Sequence, residues 1–208
     1  MARQLAKKLN YIFIDSGAMY RAITLYFIRN NINVLSIDQV SKALENIELS
    51  FRFNSTTGNN DIYLNGENAE PFIRTLQIAE KVSEVAAIRE VRTFAVQQQQ
   101  KIGKDKGIVM DGRDIGTAVF PEAELKIFMT ADVEVRVARR YKELIAKNPD
   151  ILIDDVRNNL AQRDYIDSNR EVSPLRKADD AIVLDNSNLS PEDQLGLAYK
   201  WAKEIIDA

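Results

Sequence analysis

The sequence predicts an α/β fold, in which a parallel sheet flanked by helices carries a small antiparallel insertion. Short apolar runs typical of buried parallel strands alternate with longer stretches of helical periodicity. Between about residues 35 and 75 this alternation gives way to a two-residue repeat and an Asn65-Gly66 pair, which is a strong hairpin signal. We therefore expect a core domain of residues 1–34 and 76–208, and an inserted subdomain of residues 35–75.

The composition is that of a globular protein whose chemistry has to proceed without histidine and cysteine. The 208 residues are 45% hydrophobic and 28% charged, and none is His or Cys. The usual general base, thiolate nucleophile and soft-metal ligands are therefore missing, which leaves carboxylates, arginines, lysines, hydroxyls or a hard cation such as Mg²⁺. A net charge of -3 argues against nucleic acid or an acidic membrane as partner. No apolar run approaches the ~20 residues of a membrane span, so we expect a cytoplasmic protein, and a monomer.

Apolar spacings of three and four residues predict the helices, and short apolar runs predict the core strands. In chain order we expect a helix at 1–9, a strand at 11–14, helices at 18–29 and 36–46, strands at 47–53 and 62–64, two helices within 75–101, strands at 108–110 and 125–129, helices at 132–147 and 153–167, a strand at 181–184 and a helix at 190–206. Ser36 and Gln39 have the spacing of a capping box, and Ser190 precedes Pro191 at a first helical position. We expect the four glutamines at 97–100 to form the exposed end of a helix.

Three polar stretches place arginines beside serines or aspartates. They are residues 15–21 and 111–116, which each follow a predicted strand, and residues 163–170 at the end of a predicted helix. Ligands bind outside the carboxyl ends of parallel strands, where Arg113 can grip a phosphate bidentately and Asp114 can accept a hydrogen bond from an exocyclic amine or a ribose. Together these stretches predict a site for a phosphorylated small molecule whose base or sugar is recognised.

Each of these features also has a plainer explanation. A strand-to-loop turn can carry solvated charges, and ion pairs along an exposed helix face contribute only ~0.3 to 0.5 kcal/mol. The hairpin insertion can be a surface element without function. An unrelated structural α/β protein therefore stays open at this point.

In their order along the chain, the three stretches resemble the signature stretches of bacterial cytidylate kinases. These are Asp-Ser-Gly-Ala-Met-Tyr-Arg at 15–21, Asp-Gly-Arg-Asp-Ile-Gly-Thr with Val-Phe-Pro at 111–121, and Arg163 to Arg170 followed by Ser173-Pro174-Leu175. The insertion also lies where that family carries its enlarged monophosphate-binding subdomain. The resemblance covers residues 1 to about 200. It implies a P-loop kinase-like fold, a helical lid at about 149–171, and an enzyme of pyrimidine metabolism that transfers the γ-phosphoryl group of ATP to CMP or dCMP with Mg²⁺.

The same resemblance implies roles for the arginines. Arg21, Arg113 and Arg170 would hold the CMP phosphate. Arg163 and Asp167 would reach the ribose and the region between the two phosphates from the lid. Catalysis would fall to Arg113, Arg163 and Arg170, because phosphoryl transfer depends mainly on positioning and charge neutralisation.

Recognition of the base is implied for a second group. Asp114 would accept the cytosine 4-amino group, with Ser83 and Arg92 on the other polar edge of the base. The implied substrate-binding residues are Ser16, Tyr20, Arg21, Ser83, Arg92, Arg113, Asp114, Arg163, Asp167 and Arg170. No metal ligand is assigned, apart from an indirect role for Asp15.

One family motif is missing from the sequence. No Gly-x-x-x-x-Gly-Lys-Ser/Thr loop occurs, and residues 1–9 align with the family helix that directly follows that loop. Two explanations are open. The chain could start at an internal methionine of a longer protein, or it could be a catalytically inactive paralogue that binds CMP and lacks the ATP site.

Overall fold

A computed structural model describes residues 1–146 and 148–207 of the protein. The elements are α1 (Ala2–Leu9), β1 (Ile12–Asp15), α2 (Ser16–Arg29), α3 (Ile37–Glu45), β2 (Leu49–Asn54), β3 (Asn59–Leu64), β4 (Glu67–Asn68), α4 (Leu76–Ala87), α5 (Arg89–Ile102), β5 (Ile108–Asp111), β6 (Ile127–Thr130), α6 (Val133–Ile145), α7 (Ile153–Asn169), β7 (Ile182–Asp185) and α8 (Pro191–Ile206). The predicted alternation of strands and helices is confirmed.

The parallel strands form two separate pairs. β1 pairs with β5, and β6 pairs with β7, in parallel register. Strands β5 and β6 both line a single open cavity of about 1600 Å³. The expected parallel sheet is thus present as two two-stranded halves that border this cavity.

Helix α2 lies at the centre of the main apolar core. Its Ala18, Met19, Ala22 and Ile23 are completely buried and pack with residues of α3, α4, α5 and the antiparallel strands. A helix that is apolar on all sides has to be covered on all sides. The first turns of α2, which directly follow β1, are therefore enclosed by the core.

The insertion forms the predicted antiparallel hairpin. β2 pairs with β3 from Leu49 opposite Leu64 to Asn54 opposite Asn59. Asn65 and Gly66 both have positive φ angles, 50° and 83°, as the tight turn between β3 and β4 requires. Residues of α3 and the hairpin share the core around α2, while the exact bounds of the subdomain and of the lid stay predictions.

The two predicted caps are formed to different extents. At α8 the Ser190 and Asp193 side chains each accept from the backbone N–H of the other, which completes a capping box. At α3 the Ser36 side chain accepts from the Gln39 N–H, but the Gln39 side chain accepts from Asn33 instead of returning to Ser36. The capping box predicted at Ser36 is therefore only half formed.

The expectation for the glutamine run is wrong at one position. Gln97 and Gln100 are exposed, but Gln99 is only 1% exposed because it lies on the face of α5 that packs toward the core. Helix α6 ends at Ile145, and the predicted last residue of that helix, Lys147, lies outside the described residues. No helix in the described part of the chain is both long enough and apolar enough to cross a membrane.

Candidate active site

The C-terminal ends of strands β1 and β5 lie side by side at one edge of the cavity. Asp15 of β1 lies opposite Asp111 of β5 in the parallel register. The Ser16 hydroxyl donates to the Asp111 carbonyl oxygen over 2.6 Å, which ties the start of α2 to the end of β5. A Cβ at Gly112 would lie 2.3 Å from the Ser16 Oγ, so only glycine fits this close approach.

A buried ion pair follows directly after this junction. The Arg92 guanidinium, 1% exposed, donates through Nη2 to the Asp114 carboxylate, which is 5% exposed. The Arg92 Nη1 donates to the Ala86 carbonyl oxygen over 3.1 Å. On the other side, the Arg170 Nη2 lies 3.6 Å from Asp114 Oδ1, and the Arg170 side chain is 4% exposed. Asp114 is therefore held between two buried guanidinium groups from different helix ends.

An unpredicted backbone feature fixes the position of Asp114. Residues Ile115–Val119 form a π-helical turn. The N–H groups of Ala118 and Thr117 donate to the Asp114 carbonyl oxygen over 2.9 and 3.3 Å. A π-helical turn is rare and often marks a functional position, and here it aims the Asp114 side chain inward.

Asp167, at the C-terminal end of α7, joins the second and third polar stretches. The Arg113 Nε donates to Asp167 Oδ2 over 3.0 Å, and the Arg170 Nη1 donates to Asp167 Oδ1 over 3.1 Å. The Arg170 Nε donates to the Ser173 carbonyl oxygen over 2.9 Å. Both carboxylate oxygens of Asp167 are thus engaged by arginines, and half-exposed Arg113 faces the open cavity.

Positive charge exceeds negative charge at the mouth of the site. Burial and the neighbouring Arg113 lower the pKa of Arg163, while Asp167 opposes this effect. Burial also lowers the pKa of Arg21, and Asp15, whose Oδ1 lies 3.8 Å from the Arg21 Nη1, opposes it. Buried nitrogens of Arg21 and Arg163 have no hydrogen-bond partner. Because clustered guanidinium groups repel one another, this arrangement favours a bound anion such as a phosphate.

At the strand ends, the protein environment raises the pKa of a carboxylate. Surrounding protein and the neighbouring Asp15 raise the pKa of Asp111 to about 6, although Asp111 opens onto the cavity. Asp15 also caps α2 by accepting from the Ala18 N–H over 2.9 Å, and it lies 3.3 Å from Arg74 Nη2. In the described ranges, no group of three or more potential metal-ligating side chains gathers.

The structure brings all of the predicted substrate-binding residues to one cavity. Its lining includes Ser16, Tyr20, Arg21, Ser83, Arg92, Arg113, Asp114, Arg163, Asp167 and Arg170. Ser16 already donates its proton to the Asp111 carbonyl oxygen, so in this structure it ties the start of α2 to the end of β5. Tyr20 lies under Arg92, whose guanidinium carbon is 5.3 Å from the ring centroid. The individual roles of these residues stay predictions.

Two further arginines lie near the cluster and were missed by sequence reasoning. Arg74 ends the insertion and pairs with Asp15 and Glu70, and Arg140 of α6 helps to lower the pKa of Arg21. The only sequence signal for Arg74 is its place just before helix α4, and helical periodicity alone does not direct Arg140 to the site.

The chain matches known proteins over nearly its whole length. The family model described as "Cytidylate kinase" matches residues 1–203. A protein described as cytidylate kinase from Bacteroides thetaiotaomicron is 56% identical over 207 residues, which cover 98% of this chain and 89% of the relative. Cytidylate kinases from Flavobacterium psychrophilum and Bacteroides fragilis are each 53% identical, covering 99% and 93% of this chain and 92% and 86% of the relative.

The buried ion pair generates a stability prediction. Asp114→Ala leaves two buried guanidinium groups without their shared partner, and we expect it to lower the free energy of unfolding by about 3 to 5 kcal/mol. Denaturant unfolding followed by circular dichroism measures the change. The control Glu124→Ala breaks an exposed ion pair with Lys106 and should leave stability almost unchanged. Equal effects of the two substitutions would contradict this description of Asp114.

The raised pKa of Asp111 generates a pH prediction. Because the folded state raises this pKa from 3.8 to about 6, it binds the Asp111 proton more tightly than the unfolded state does. The ionised carboxylate therefore destabilises the fold above pH 6, and this cost fades as the pH falls toward 4. We expect Asp111→Asn to raise the melting temperature at pH 8 and to raise it only about a third as much near pH 4.5. Asp105→Asn, at an exposed loop position, is the control. A gain for Asp111→Asn that is equal at both pH values would show that the charge is not the cause.

Proposed function

This chain belongs to the cytidylate kinase family, and from that premise we propose that it transfers the γ-phosphoryl group of ATP to CMP or dCMP, giving CDP or dCDP. The observation that carries the proposal is the buried Asp114 carboxylate between Arg92 and Arg170, beside a cluster of arginines that lacks enough counter-charge. The buried carboxylate suits a base that carries an amino group. The arginine cluster suits phosphates.

Asp114 is the group that we propose to read the base. Its Oδ2 is engaged by Arg92, while Oδ1 lies 3.6 Å from the nearest Arg170 nitrogen and remains available as an acceptor. The cytosine 4-amino group can donate to this oxygen, with Arg92 and Ser83 at the other polar edge of the base. The 4-carbonyl of UMP would instead face a carboxylate acceptor with no donor between them. A site built to pair a buried polar group rejects the unmatched analogue strongly, by up to ~10⁴-fold.

The arginine cluster is the proposed phosphate site. Arg21, Arg113 and Arg170 would hold the CMP phosphate, and Arg163 would lie between the acceptor and donor phosphates. The unpartnered buried nitrogens of Arg21, Arg163 and Arg170 support this proposal, because each has an unused hydrogen-bond donor. In-line phosphoryl transfer needs positioned reactants and neutralised charge more than covalent help, so a site without histidine is adequate.

The proposed lid acts through Asp167 and Arg163 of α7. Asp167 binds Arg113 and Arg170, so a movement of α7 would move the phosphate-binding arginines together. Asp167 and Arg163 would also reach the ribose. Tyr20 and Ser16 complete the proposed acceptor side, near the N-terminus of α2.

We include Mg²⁺ in the proposal as the metal that accompanies ATP. The donor set at the strand ends suits a hard cation, because Asp15 and Asp111 lie side by side and their repulsion contributes to the raised pKa of Asp111. Most ligands would come from phosphate oxygens and water. Bound Mg²⁺ supplies charge neutralisation at the phosphates, and Asp15 would act on it indirectly through water.

The enzyme's cellular location and partners are also part of this proposed function. We propose that it acts in the cytoplasm, in pyrimidine metabolism, as a monomer with free nucleotides as partners rather than nucleic acid or membrane. The net charge of -3 supports the absence of a general nucleic-acid surface. The relatives described above all bear the name of the kinase, so they give no support to an inactive CMP-binding paralogue.

The kinase assay tests this proposal directly. We expect the purified chain to form ADP from Mg·ATP with CMP, and much less with UMP or without an acceptor. Arg113→Met should lower kcat/KM for CMP by about 10- to 100-fold, because a charge-assisted hydrogen bond to phosphate is lost. Arg52→Met, at an exposed position of β2, is the matched control and should retain activity.

Three results would count against parts of the proposal. Equal turnover of CMP and UMP would contradict base recognition by Asp114. CMP binding without ADP formation would mean that the acceptor half of the site is formed and the donor half is not, as both explanations of the missing Gly-x-x-x-x-Gly-Lys-Ser/Thr loop predict. Neither binding nor turnover of CMP would overturn the assignment of this cavity as a nucleotide site.

A further inference from the structure

A buried polar pocket lies beneath the base-reading ion pair, and the roles proposed so far leave its unpaired polar atoms unexplained. It contains Tyr20 of α2, 8% exposed, and Gln99 of α5, 1% exposed. The Tyr20 hydroxyl and both amide atoms of Gln99 are buried without a hydrogen-bond partner. Buried polar groups are nearly always paired, so three unpaired atoms at one place need a reason.

Arg92 connects this pocket to the base-reading pair. Arg92 and Gln99 are seven residues apart on α5, which is about two helical turns and puts them on the same face. The Arg92 guanidinium carbon lies 5.3 Å from the Tyr20 ring centroid, and its Nη2 donates to Asp114. Tyr20 therefore lies against the ion pair, and Gln99 is a second α5 side chain that acts on its phenol group.

The hydrogen-bonding capacities of these groups limit where the Tyr20 phenol proton can point. Arg92 has donors only, so it cannot accept the phenol proton of Tyr20. Burial raises the pKa of Tyr20 to about 12, which keeps the phenol protonated, while the Gln99 side chain opposes this effect. If the Gln99 amide N–H donates to the phenol oxygen, the phenol proton has to point to a different acceptor. Tyr20 lines the nucleotide cavity, where such an acceptor would arrive with a ligand.

We propose that Gln99 is a positioning residue for the acceptor nucleotide. When the nucleotide binds, the Gln99 amide N–H donates to the Tyr20 oxygen, and the Tyr20 hydroxyl then donates into the cavity, to an oxygen of the nucleotide whose base Asp114 reads. The unpaired atoms then form part of a site that is completed when the nucleotide binds. This inference rests on the proposed function, because it concerns CMP as the acceptor.

A double-mutant cycle tests the inference. Gln99→Leu and Tyr20→Phe each remove one member of the relay, and we expect each to raise KM for CMP by about 3- to 10-fold with little change in kcat. The double variant should be no worse than Tyr20→Phe alone, since Gln99 acts only through the hydroxyl. Gln99→Leu removes an unpaired buried amide, so its melting temperature without ligand should not fall.

The glutamine run provides the matched control. Gln97→Leu changes an exposed glutamine two residues earlier on the same helix and should leave KM for CMP unchanged. A Gln99→Leu variant with unchanged KM, or one that is only less stable, would overturn the inference. So would fold-changes in KM that multiply in the double variant. If the wild-type chain neither binds nor phosphorylates CMP, the proposed function fails first, and that result is distinguishable from a wild type that uses CMP but gives an unaltered Gln99→Leu.

Discussion

The burial of the Asp114 carboxylate between two guanidinium groups is the constraint on which the rest of the site depends. Charges this deeply buried are tolerated only when they are paired, so α5, the π-helical turn and the end of α7 have to converge on one point. The same convergence leaves one carboxylate oxygen facing the cavity. Stability and recognition therefore rest on the same atoms, and a ligand with a well-placed donor finds its acceptor already oriented.

In contrast to Asp114, the arginines around it are not fully paired with opposite charges. Arg21 and Arg163 lie where burial and mutual repulsion disfavour their charged forms, and both retain buried donors without partners. The folded chain thus holds positive charge that only an anion can balance. Asp167 couples this cluster to the buried pair by binding Arg113 and Arg170 at once. A phosphorylated ligand would therefore contact residues from three distant segments of the chain at once.

Much of this arrangement follows from the sequence, and the remainder depends on packing. Periodicity predicts the helices and strands, and the meeting of parallel strand ends predicts that residues 15–21 and 111–116 form one site. The π-helical turn after Asp114 arises from a backbone hydrogen-bond pattern that has no apolar period. A polar glutamine run predicts exposed side chains, but the packing of α5 against its neighbouring elements buries Gln99. Arg74 reaches Asp15 only because the insertion folds back over the strand end.

The central claim is that Asp114, held between Arg92 and Arg170, reads the amino group of cytosine. A crystal structure of the protein with CMP bound measures this most directly. The account predicts the cytosine 4-amino nitrogen within hydrogen-bond distance of the Asp114 carboxylate, at ~2.7 to 3.2 Å, with the phosphate among the arginines. A CMP molecule whose 4-amino group faces solvent or another residue, with the Asp114 carboxylate engaged only by the two arginines, would contradict it.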